Sequence, residues 1–305
     1  MNRKFSQQLN LISDLIKTKL GNNLISIILI GGYGRDEGTF FLKNKTISLV
    51  NDIDLVIISH RSMSKSILKQ LMDQAAKIIK PDTQYVHEKY CPIDFHVDLF
   101  NFKKKDLSGF KPSQFSLDLK YASQVIYGNK NILRLIPELK AENIPVNDGL
   151  MLLHNRVLSL LEAYQSGQSE WIYYFSLKAI IDSSVAILIK EKQYSPYHKL
   201  RMTALKKLKP QSLAIFQRYA AKRYLIKSSD LINYKKHWSI ARKVLLETLD
   251  QYPHSFLARL RPSSIDKIKQ TAVRLLKSLP LKIQPLHSQK QIHQIIDAWK
   301  RSSWE

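Results

Sequence analysis

The hydrophobic periodicity of this chain changes once, near residue 145, and this change constrains the fold more than any other feature. Before that point, the short apolar runs at 24–30 and 53–59 are typical of buried strands, and strict alternation over 93–100 predicts a third strand. Apolar residues at helical spacing predict helices over about 5–20 and 64–80. Strands and helices therefore share the first half of the chain.

Beyond residue 145, the periodicity is helical throughout. Glycine is rare there and prolines separate the periodic segments, as expected for successive helices. The sequence predicts an α+β protein, with a domain of mixed strands and helices over 1–145 and an all-helical bundle domain over 146–305. The helices expected in the second domain lie at 150–165, 171–192, 198–208, 211–226, 230–250, 263–279 and 288–300.

Positive charge is concentrated in the predicted helical domain. The formal net charge of the chain is +23. Residues 1–145 hold 21 Lys and Arg against 14 Asp and Glu, whereas residues 146–305 hold 27 against 11. Such an excess attracts phosphate-bearing partners over long distances. A basic surface that only maintains solubility is the alternative.

Composition excludes several classes of protein. With 44% hydrophobic residues in 305 positions, the chain can bury a full core, which argues against a disordered or fibrous protein. Cys91 is the only cysteine, so a disulfide-stapled scaffold is excluded. No uninterrupted apolar run approaches the roughly 20 residues that cross a bilayer, and the N-terminus lacks the apolar segment of a signal peptide. We expect a cytoplasmic protein without a membrane partner.

A glycine-rich turn follows the first predicted strand, in the segment ILIGGYGRDEG (28–38). Without a Cβ, Gly31 and Gly32 allow a sharp turn that brings backbone N–H groups close to a phosphate, and Arg35 could add charge. The spacing matches neither the P-loop nor the dinucleotide fingerprint. Taken alone, the segment fits a purely structural turn as well as a phosphate site.

Two aspartates open the second strand, in NDIDLVIIS (51–59). Residues two apart in a strand project to the same face, so Asp52 and Asp54 can approach one metal site. Two adjacent carboxylates beside an apolar strand repel each other unless a cation compensates them. A solvated turn at the entry to the strand is the alternative.

The third strand carries Asp94, His96 and Asp98 on one face. If this strand lies beside the Asp52/Asp54 strand, one of its aspartates completes a three-carboxylate site. Such a site suits two Mg²⁺ ions, with Mn²⁺ as a substitute, in an in-line phosphoryl displacement. His96 fits a strand histidine without a catalytic part as well as a residue that orients a carboxylate.

Together these motifs resemble the polymerase β-like nucleotidyltransferase superfamily: an apolar strand, Gly-Gly, then Asp-x-Asp and a later third Asp. GGYGRDEG is similar to the Gly-Gly-Tyr-Gly-Arg-Gly-Glu-Gly subgroup of bacterial enzymes, with Asp36 in place of a glycine. The resemblance covers about residues 24–135 and implies a small mixed-sheet catalytic domain. Twenty residues separate Gly32 from Asp52, more than in the family's minimal pattern, so we expect an inserted strand or hairpin between them.

The resemblance also implies roles for these residues. Gly31 and Gly32 would hold the triphosphate of a nucleoside triphosphate, ATP among the candidates, and Arg35 would touch it. Asp52 and Asp54 would bind both metals. Asp98 is the preferred third carboxylate, with Asp94 as the alternative.

In the helical half, the resemblance assigns a triphosphate contact to Lys178. An i,i+4 pair between Lys178 and Asp182 is the plainer interpretation. A cluster at the start of the following helix could contact the base or the acceptor, or could be a solvated helix start. It comprises Tyr194, Tyr197, His198, Lys199 and Arg201.

The predicted reaction transfers NMP from an NTP to an acceptor hydroxyl or phosphate and releases pyrophosphate. The basic helical half favours RNA as the acceptor, with a tRNA 3′ end suggested by analogy with nucleotidyltransferase toxins. A small metabolite, a surface polysaccharide alcohol or a protein hydroxyl remain open, as does an inactive nucleic-acid-binding module. Aminoglycosides are disfavoured because these polycations need an acidic cleft. A protein inhibitor and a homodimer remain open as further partners.

Overall fold

The computed structural model describes residues 3–43, 46–49, 52–79, 97–252, 264–279 and 289–304. The chain forms two compact units. The first comprises Met1–Ile144 with two short later segments, Ser195–Leu200 and Arg223–Ile226, and the second comprises Pro145–Tyr194, Arg201–Lys222 and Lys227–Glu305. Both short segments fall within the range that the sequence assigns to the helical domain.

The first half of the chain contains four helices and six strands in its described residues. In chain order these are α1 (Arg3–Leu20), β1 (Leu24–Leu29), α2 (Gly31–Gly34), β2 (Phe40–Lys43), β3 (Thr46–Leu49), β4 (Ile53–Ser59), α3 (Lys65–Ile79), β5 (Val97–Lys103), α4 (Gln114–Tyr121) and β6 (Gln124–Gly128). The predicted helices and strands of this half are all present where the structure describes them. Residues 93–96 of the predicted third strand lie outside the described residues.

A four-stranded mixed sheet forms the core of the first unit. Its strand order is β5-β4-β1-β6, with β4 and β5 parallel and β1 antiparallel to both of its neighbours. The apolar faces of α1 and α3 pack on one face of this sheet, against alternate residues such as Leu55 and Ile57. Since side chains alternate along a strand, the intervening residues of β4 and β5 point to the opposite face. This opposite face carries Asp54 and Asp98.

The insertion between Gly32 and Asp52 is a hairpin, as predicted. Strands β2 and β3 pair antiparallel, from Phe40 opposite Leu49 to Lys43 opposite Thr46. The hairpin belongs to a second sheet of order β3-β2-β7, where β7 is Leu225–Lys227. Strands β1 and β4 remain directly paired, so the insertion leaves their contact intact.

The described residues of the second half are mainly helical, as predicted, and the short strand β7 is a local departure from the predicted all-helical bundle. The predicted helix over 211–226 ends at Ala220, because the following residues enter the first unit, where the backbone N–H of Phe40 donates to the carbonyl of Tyr224 (3.0 Å). Tertiary pairing overrides helical periodicity here. The helices are α5 (Val146–Ser166), α6 (Ser169–Lys190), α7 (His198–Leu208), α8 (Leu213–Ala220), α9 (Tyr234–Asp250), α10 (Ser264–Ser278) and α11 (Gln289–Trp304).

Helix α6 is the central helix of the second unit. Its 22 residues have a mean hydropathy of 1.6 over the most apolar window, enough by length and composition to cross a membrane. However, 83% of that window is buried inside the protein, against α5, α8 and α9. A helix that is apolar on all sides is expected when other helices surround it.

Candidate active site

Asp54 and Asp98 face each other across two neighbouring strands. The parallel register of β4 and β5 places Asp54 directly opposite Asp98, and both side chains are partly buried. Adjacent strands lie about 4.8 Å apart, so the two carboxylates share one small region of the sheet. Asp52 directly precedes β4, two residues before Asp54, and is partly buried. Asp94 and His96 lie outside the described residues.

Gly31 provides the space that the carboxylate of Asp54 occupies. A Cβ added to Gly31 would overlap Oδ2 of Asp54, and the φ angle of Gly31 is +65°, a conformation that favours glycine. The backbone N–H of Ile30 donates to the carbonyl oxygen of Asp54 (3.0 Å), which fixes the two segments against each other. The glycine turn and the Asp-x-Asp strand are therefore in direct contact, as the motif predicts.

Gly32 differs from Gly31 in its surroundings. A Cβ added there would have its nearest neighbours at 3.5 Å, the carbonyl oxygen of Glu37 and the Cα of Gly38, which is ordinary contact distance. The space around Gly32 therefore does not require a glycine. The sequence gives the two residues the same role, but only Gly31 is required sterically.

The glycine-rich segment forms one helical turn followed by a left-handed residue. The backbone N–H of Gly34 donates to the carbonyl oxygen of Ile30 (3.0 Å), and the N–H of Glu37 donates to the carbonyl oxygen of Gly32 (2.7 Å). Asp36 has a φ of +56°. This is the position at which the resembling subgroup has glycine, and aspartate is one of the few other residues that tolerate the left-handed conformation.

Arg35 is held by two carboxylates. Its Nη1 lies 2.8 Å from Oδ2 of Asp118 on α4, and its Nε lies 3.2 Å from Oε2 of Glu37. All three side chains are largely buried, with 8–16% exposure. The guanidinium charge is therefore compensated within the protein. This arrangement favours a structural role for Arg35, whereas its predicted contact with a triphosphate stays a prediction.

Glu37 also binds the two short segments that the later chain contributes to the first unit. Its Oε2 lies 3.2 Å from Nη2 of Arg223, and its Oε1 accepts the backbone N–H of His198 (2.7 Å). Nη1 of Arg223 in turn lies 3.1 Å from Nδ1 of His198. We call Arg35, Glu37, Asp118, His198 and Arg223 the Glu37 network.

The cluster at the start of α7 divides between the two units. Tyr194 and Arg201 are buried, so a fully solvated helix start does not describe it. Tyr197 is 48% exposed, yet its hydroxyl donates to the carbonyl of Tyr121 in the first unit. Together with the contact of His198 to Glu37, this hydrogen bond holds the segment that contains Tyr197 and His198 in the first unit.

Lys178 lies on α6 in the second unit, partly buried. Its Nζ is 5.6 Å from the centre of the Tyr174 ring. Asp182, which the plainer interpretation pairs with Lys178, forms an ion pair with Arg156 on α5. The distance from Nε of Arg156 to Oδ2 of Asp182 is 3.2 Å. The predicted contact between Lys178 and a triphosphate stays a prediction.

The carboxylates fit the chemistry of Mg²⁺. Within the ranges that the structure describes, no three His, Cys, Asp or Glu side chains are arranged to hold a metal ion by themselves. Mg²⁺ is usually held by one or two carboxylates together with substrate phosphates, rather than by a complete protein cage. The Asp54/Asp98 pair, with Asp52 beside it, supplies this kind of partial ligand set.

No protein-family model matches the sequence, and no curated protein matches it. Among solved structures, the chain is similar to the spectinomycin adenyltransferase AAD(9) from Enterococcus faecialis, in a crystal structure with ATP and spectinomycin. The identity is 14%, the TM-score is 0.44, and the match covers 79% of this chain and 98% of that one. At this low identity and TM-score, the likeness assigns no activity to this chain.

Sequence reasoning did not identify Glu37, Asp118, His198 or Arg223 as a connected group. Glu37 is part of the glycine-rich motif and was therefore visible. The other three residues lie 81 to 186 positions further along the chain than Glu37, and no local spacing links residues so far apart. Only the fold brings them together.

Proposed function

We propose that this protein is a metal-dependent nucleotidyltransferase that moves NMP from an NTP to an acceptor hydroxyl or phosphate. The observation that carries the proposal is the placement of Asp54 opposite Asp98, with the carboxylate of Asp54 in the space left by Gly31. A glycine turn against paired carboxylates can bind a triphosphate and a divalent cation at the same point.

Asp52, Asp54 and Asp98 would hold Mg²⁺, or Mn²⁺ in its place, with Asp94 as the alternative third carboxylate. The bound cation supplies neutralisation of phosphate charge and orientation of the triphosphate. The backbone amides of Gly31 and Gly32 would bind the phosphates, and Lys178 is our further candidate for a triphosphate contact. The Glu37 network would hold the glycine turn in position.

In the proposed reaction, an acceptor oxygen forms a bond to the α-phosphorus of the NTP. The bond from the α-phosphorus to the bridging oxygen of the β-phosphate breaks, and pyrophosphate leaves with that electron pair. When the acceptor is a hydroxyl, its proton passes to a carboxylate, for which Asp98 is our candidate because it lies beside Asp54. The products are the nucleotidylated acceptor and pyrophosphate.

For the acceptor we propose RNA, because the second half of the chain carries most of the positive charge. Its 27 Lys and Arg against 11 Asp and Glu favour a polyanion over a polycationic drug. A tRNA 3′ end, a small metabolite and a protein hydroxyl are the specific candidates to test. We propose a cytoplasmic location, which the burial of the apolar α6 supports.

The test incubates the purified protein with each of four α-labelled NTPs and Mg²⁺, plus total RNA, a metabolite extract or a protein extract. We expect label to move onto RNA with the wild-type protein and to be lost with Asp54→Asn. Asp73→Asn is the matched control, because Asp73 is an exposed carboxylate on α3. Transfer that is as fast with Asp54→Asn as with the wild type would rule out this mechanism.

A second comparison identifies the third carboxylate. We expect Asp98→Asn to lose transfer and Asp94→Asn to retain it. The opposite result would assign the role to Asp94. Transfer in no mixture, together with RNA binding that weakens steeply with salt, would instead favour a nucleic-acid-binding module without catalysis.

A further inference from the structure

The second unit carries a cluster of exposed cations around the start of α9. Arg218 lies near the end of α8, Lys227 at the end of β7, and Lys235 and Lys236 in the first turn of α9, and all four are exposed. The exposed side chain of Ile232 lies in the connection between β7 and α9. We call these five residues the basic surface.

The positive charge of the basic surface is not balanced by nearby carboxylates. Asp230 is the only acidic residue between Lys192 and Leu246. Its carboxylate forms an ion pair with Lys222 and accepts the backbone N–H of Lys227 (3.0 Å). In the described part of the chain, Arg218, Lys227, Lys235 and Lys236 therefore have no carboxylate partner.

The end of α8 contacts the first turn of α9, where the hydroxyl of Tyr219 and Nδ1 of His237 form a hydrogen bond. Burial lowers the pKa of His237, the charges of Lys222, Arg218 and Lys236 lower it further, and the charge of Asp230 raises it. These cations come from different elements, yet all act on the same imidazole. Their charges are thus close enough together to form one field.

Apolar and aromatic groups lie among these cations. Ile232 is 77% exposed, the highest value among the exposed large hydrophobic residues of the described chain. Nζ of Lys235 lies 5.8 Å from the centre of the adjacent Tyr234 ring. Cations interleaved with apolar and aromatic groups match single-stranded nucleic acid, whose phosphates and unstacked bases alternate.

An anionic membrane surface is a weaker match. Interfacial binding needs an apolar face that can be buried in the lipid, and the apolar residues Phe216, Tyr219 and Ala220 of α8 are already buried in the protein. One exposed isoleucine provides little area for insertion. Four exposed cations beside one exposed isoleucine and the ring of Tyr234 favour a strand whose phosphates and bases are both accessible.

We propose that the basic surface binds single-stranded RNA. This inference rests on the proposed function only in making that RNA the acceptor of the nucleotide, since binding itself requires neither NTP nor turnover. The cations bind phosphates, and Ile232 contacts an unstacked base.

The experiment measures fluorescence anisotropy of a labelled 20-nucleotide single-stranded RNA with the full-length protein at several NaCl concentrations, without NTP. The variant Arg218→Gln/Lys235→Gln/Lys236→Gln removes three cations and leaves the Lys222–Asp230 pair intact. Each lost phosphate contact lowers the slope of log K against log salt by about 0.7 for single strands, so we expect a decrease of about 2. Affinity at about 0.1 M salt should fall tenfold or more.

The matched control is Lys65→Gln/Lys69→Gln/Lys77→Gln, which removes the same charge from exposed positions on α3. It should keep wild-type affinity within about twofold, because only overall attraction is reduced. Ile232→Ser should weaken binding without changing the salt slope. Double-stranded RNA of equal length should bind more weakly than the single strand, because its bases are stacked.

Equal losses in the two triple variants would overturn the proposal, because binding would then depend on net charge alone. Binding to phosphatidylserine vesicles but not to RNA would overturn it in favour of a membrane surface. The Asp54→Asn variant separates this proposal from the enzymatic one: it should bind RNA like the wild type. Circular dichroism melts verify that each variant is folded.

Discussion

At the scale of single residues, the contact between Gly31 and Asp54 is the most informative feature of the molecule. A motif of two glycines does not indicate which of them is essential. The structure distinguishes them, because only at Gly31 do both the left-handed backbone and the neighbouring carboxylate exclude a side chain. The proposed chemistry therefore depends on Gly31 more than on Gly32.

Gly31→Ala should abolish most nucleotide transfer, whereas Gly32→Ala should retain it. The new Cβ at Gly31 must displace Asp54, and a displacement of about 1 Å can lower the rate about 100-fold. At Gly32 the new methyl group meets neighbours at 3.5 Å, so we expect less than a tenfold loss, within about 1.4 kcal/mol of barrier. The measurement is kcat/KM with a labelled NTP, with melting curves as the control. Equal losses in both variants would contradict this account.

The role of Arg35 can be decided by comparing stability with KM. Because its guanidinium donates to both Glu37 and Asp118 in a buried position, and a lysine ammonium cannot reproduce this fork, Arg35→Lys should lower the free energy of unfolding by about 2 kcal/mol. Glu37→Gln should have a similar effect, and the double variant should lose less than the sum of the two. Denaturant unfolding measures these values.

A direct contact between Arg35 and the triphosphate predicts a different result. KM for the NTP would then rise strongly in Arg35→Lys while the unfolding curve stayed unchanged. Lys243→Gln is a suitable control for stability, because Lys243 forms only an exposed i,i+4 pair with Glu247, at 3.8 Å.

At the scale of elements, the sequence predicts the strands that carry Asp54 and Asp98, but not β7, the strand that pairs with the hairpin. The alternation of β4 and β5 puts Asp54 and Asp98 on one face, and the pairing of these strands matches the arrangement expected for a shared site. By contrast, β7 is hidden in a segment with helical periodicity. Its backbone forms a sheet with the hairpin, about 180 residues earlier in the chain, and no local pattern encodes that partner.

The packing of α5 against α6 predicts a stability effect at Gly149 that is opposite to the effect expected from helix propensity. Alanine is favoured over glycine within a helix by about 1 kcal/mol. At Gly149 in α5, however, a Cβ would overlap the hydroxyl of Tyr252, which donates to the carbonyl of Ala186 (2.8 Å). Gly149→Ala should therefore destabilise the protein, despite the gain in propensity.

Tyr252→Phe combined with Gly149→Ala tests the cause of this effect. Removal of the hydroxyl relieves the overlap, so the double variant should be more stable than the sum of the single effects predicts. Thermal melts of the four proteins measure the coupling. A Gly149→Ala variant more stable than the wild type would show that the helices adjust without cost.

At the scale of the whole molecule, charge is distributed separately from the proposed catalytic residues. The carboxylates of the candidate site lie in the first half, where basic and acidic residues are closer to balance, and most of the net charge of +23 lies in the second. A polyanionic acceptor would gain long-range attraction from the second half without requiring excess positive charge beside the carboxylates that we propose bind the metal. The same charge also opposes folding through self-repulsion.

This self-repulsion predicts that salt stabilises the protein. The Debye length falls from about 30 Å at 0.01 M salt to about 8 Å at 0.15 M, so repulsion between distant cations is screened. The largely buried ion pairs of the Glu37 network are screened less. Between these two conditions we expect the melting temperature to rise by about 2–4 °C, equivalent to about 1 kcal/mol for a unit of this size.

The Arg218→Gln/Lys235→Gln/Lys236→Gln variant should melt higher than the wild type at low salt and respond less to added NaCl, because part of the repulsion has been removed. A melting temperature that falls with salt would mean that surface ion pairs outweigh repulsion, and the excess charge would then have little influence on the folded state.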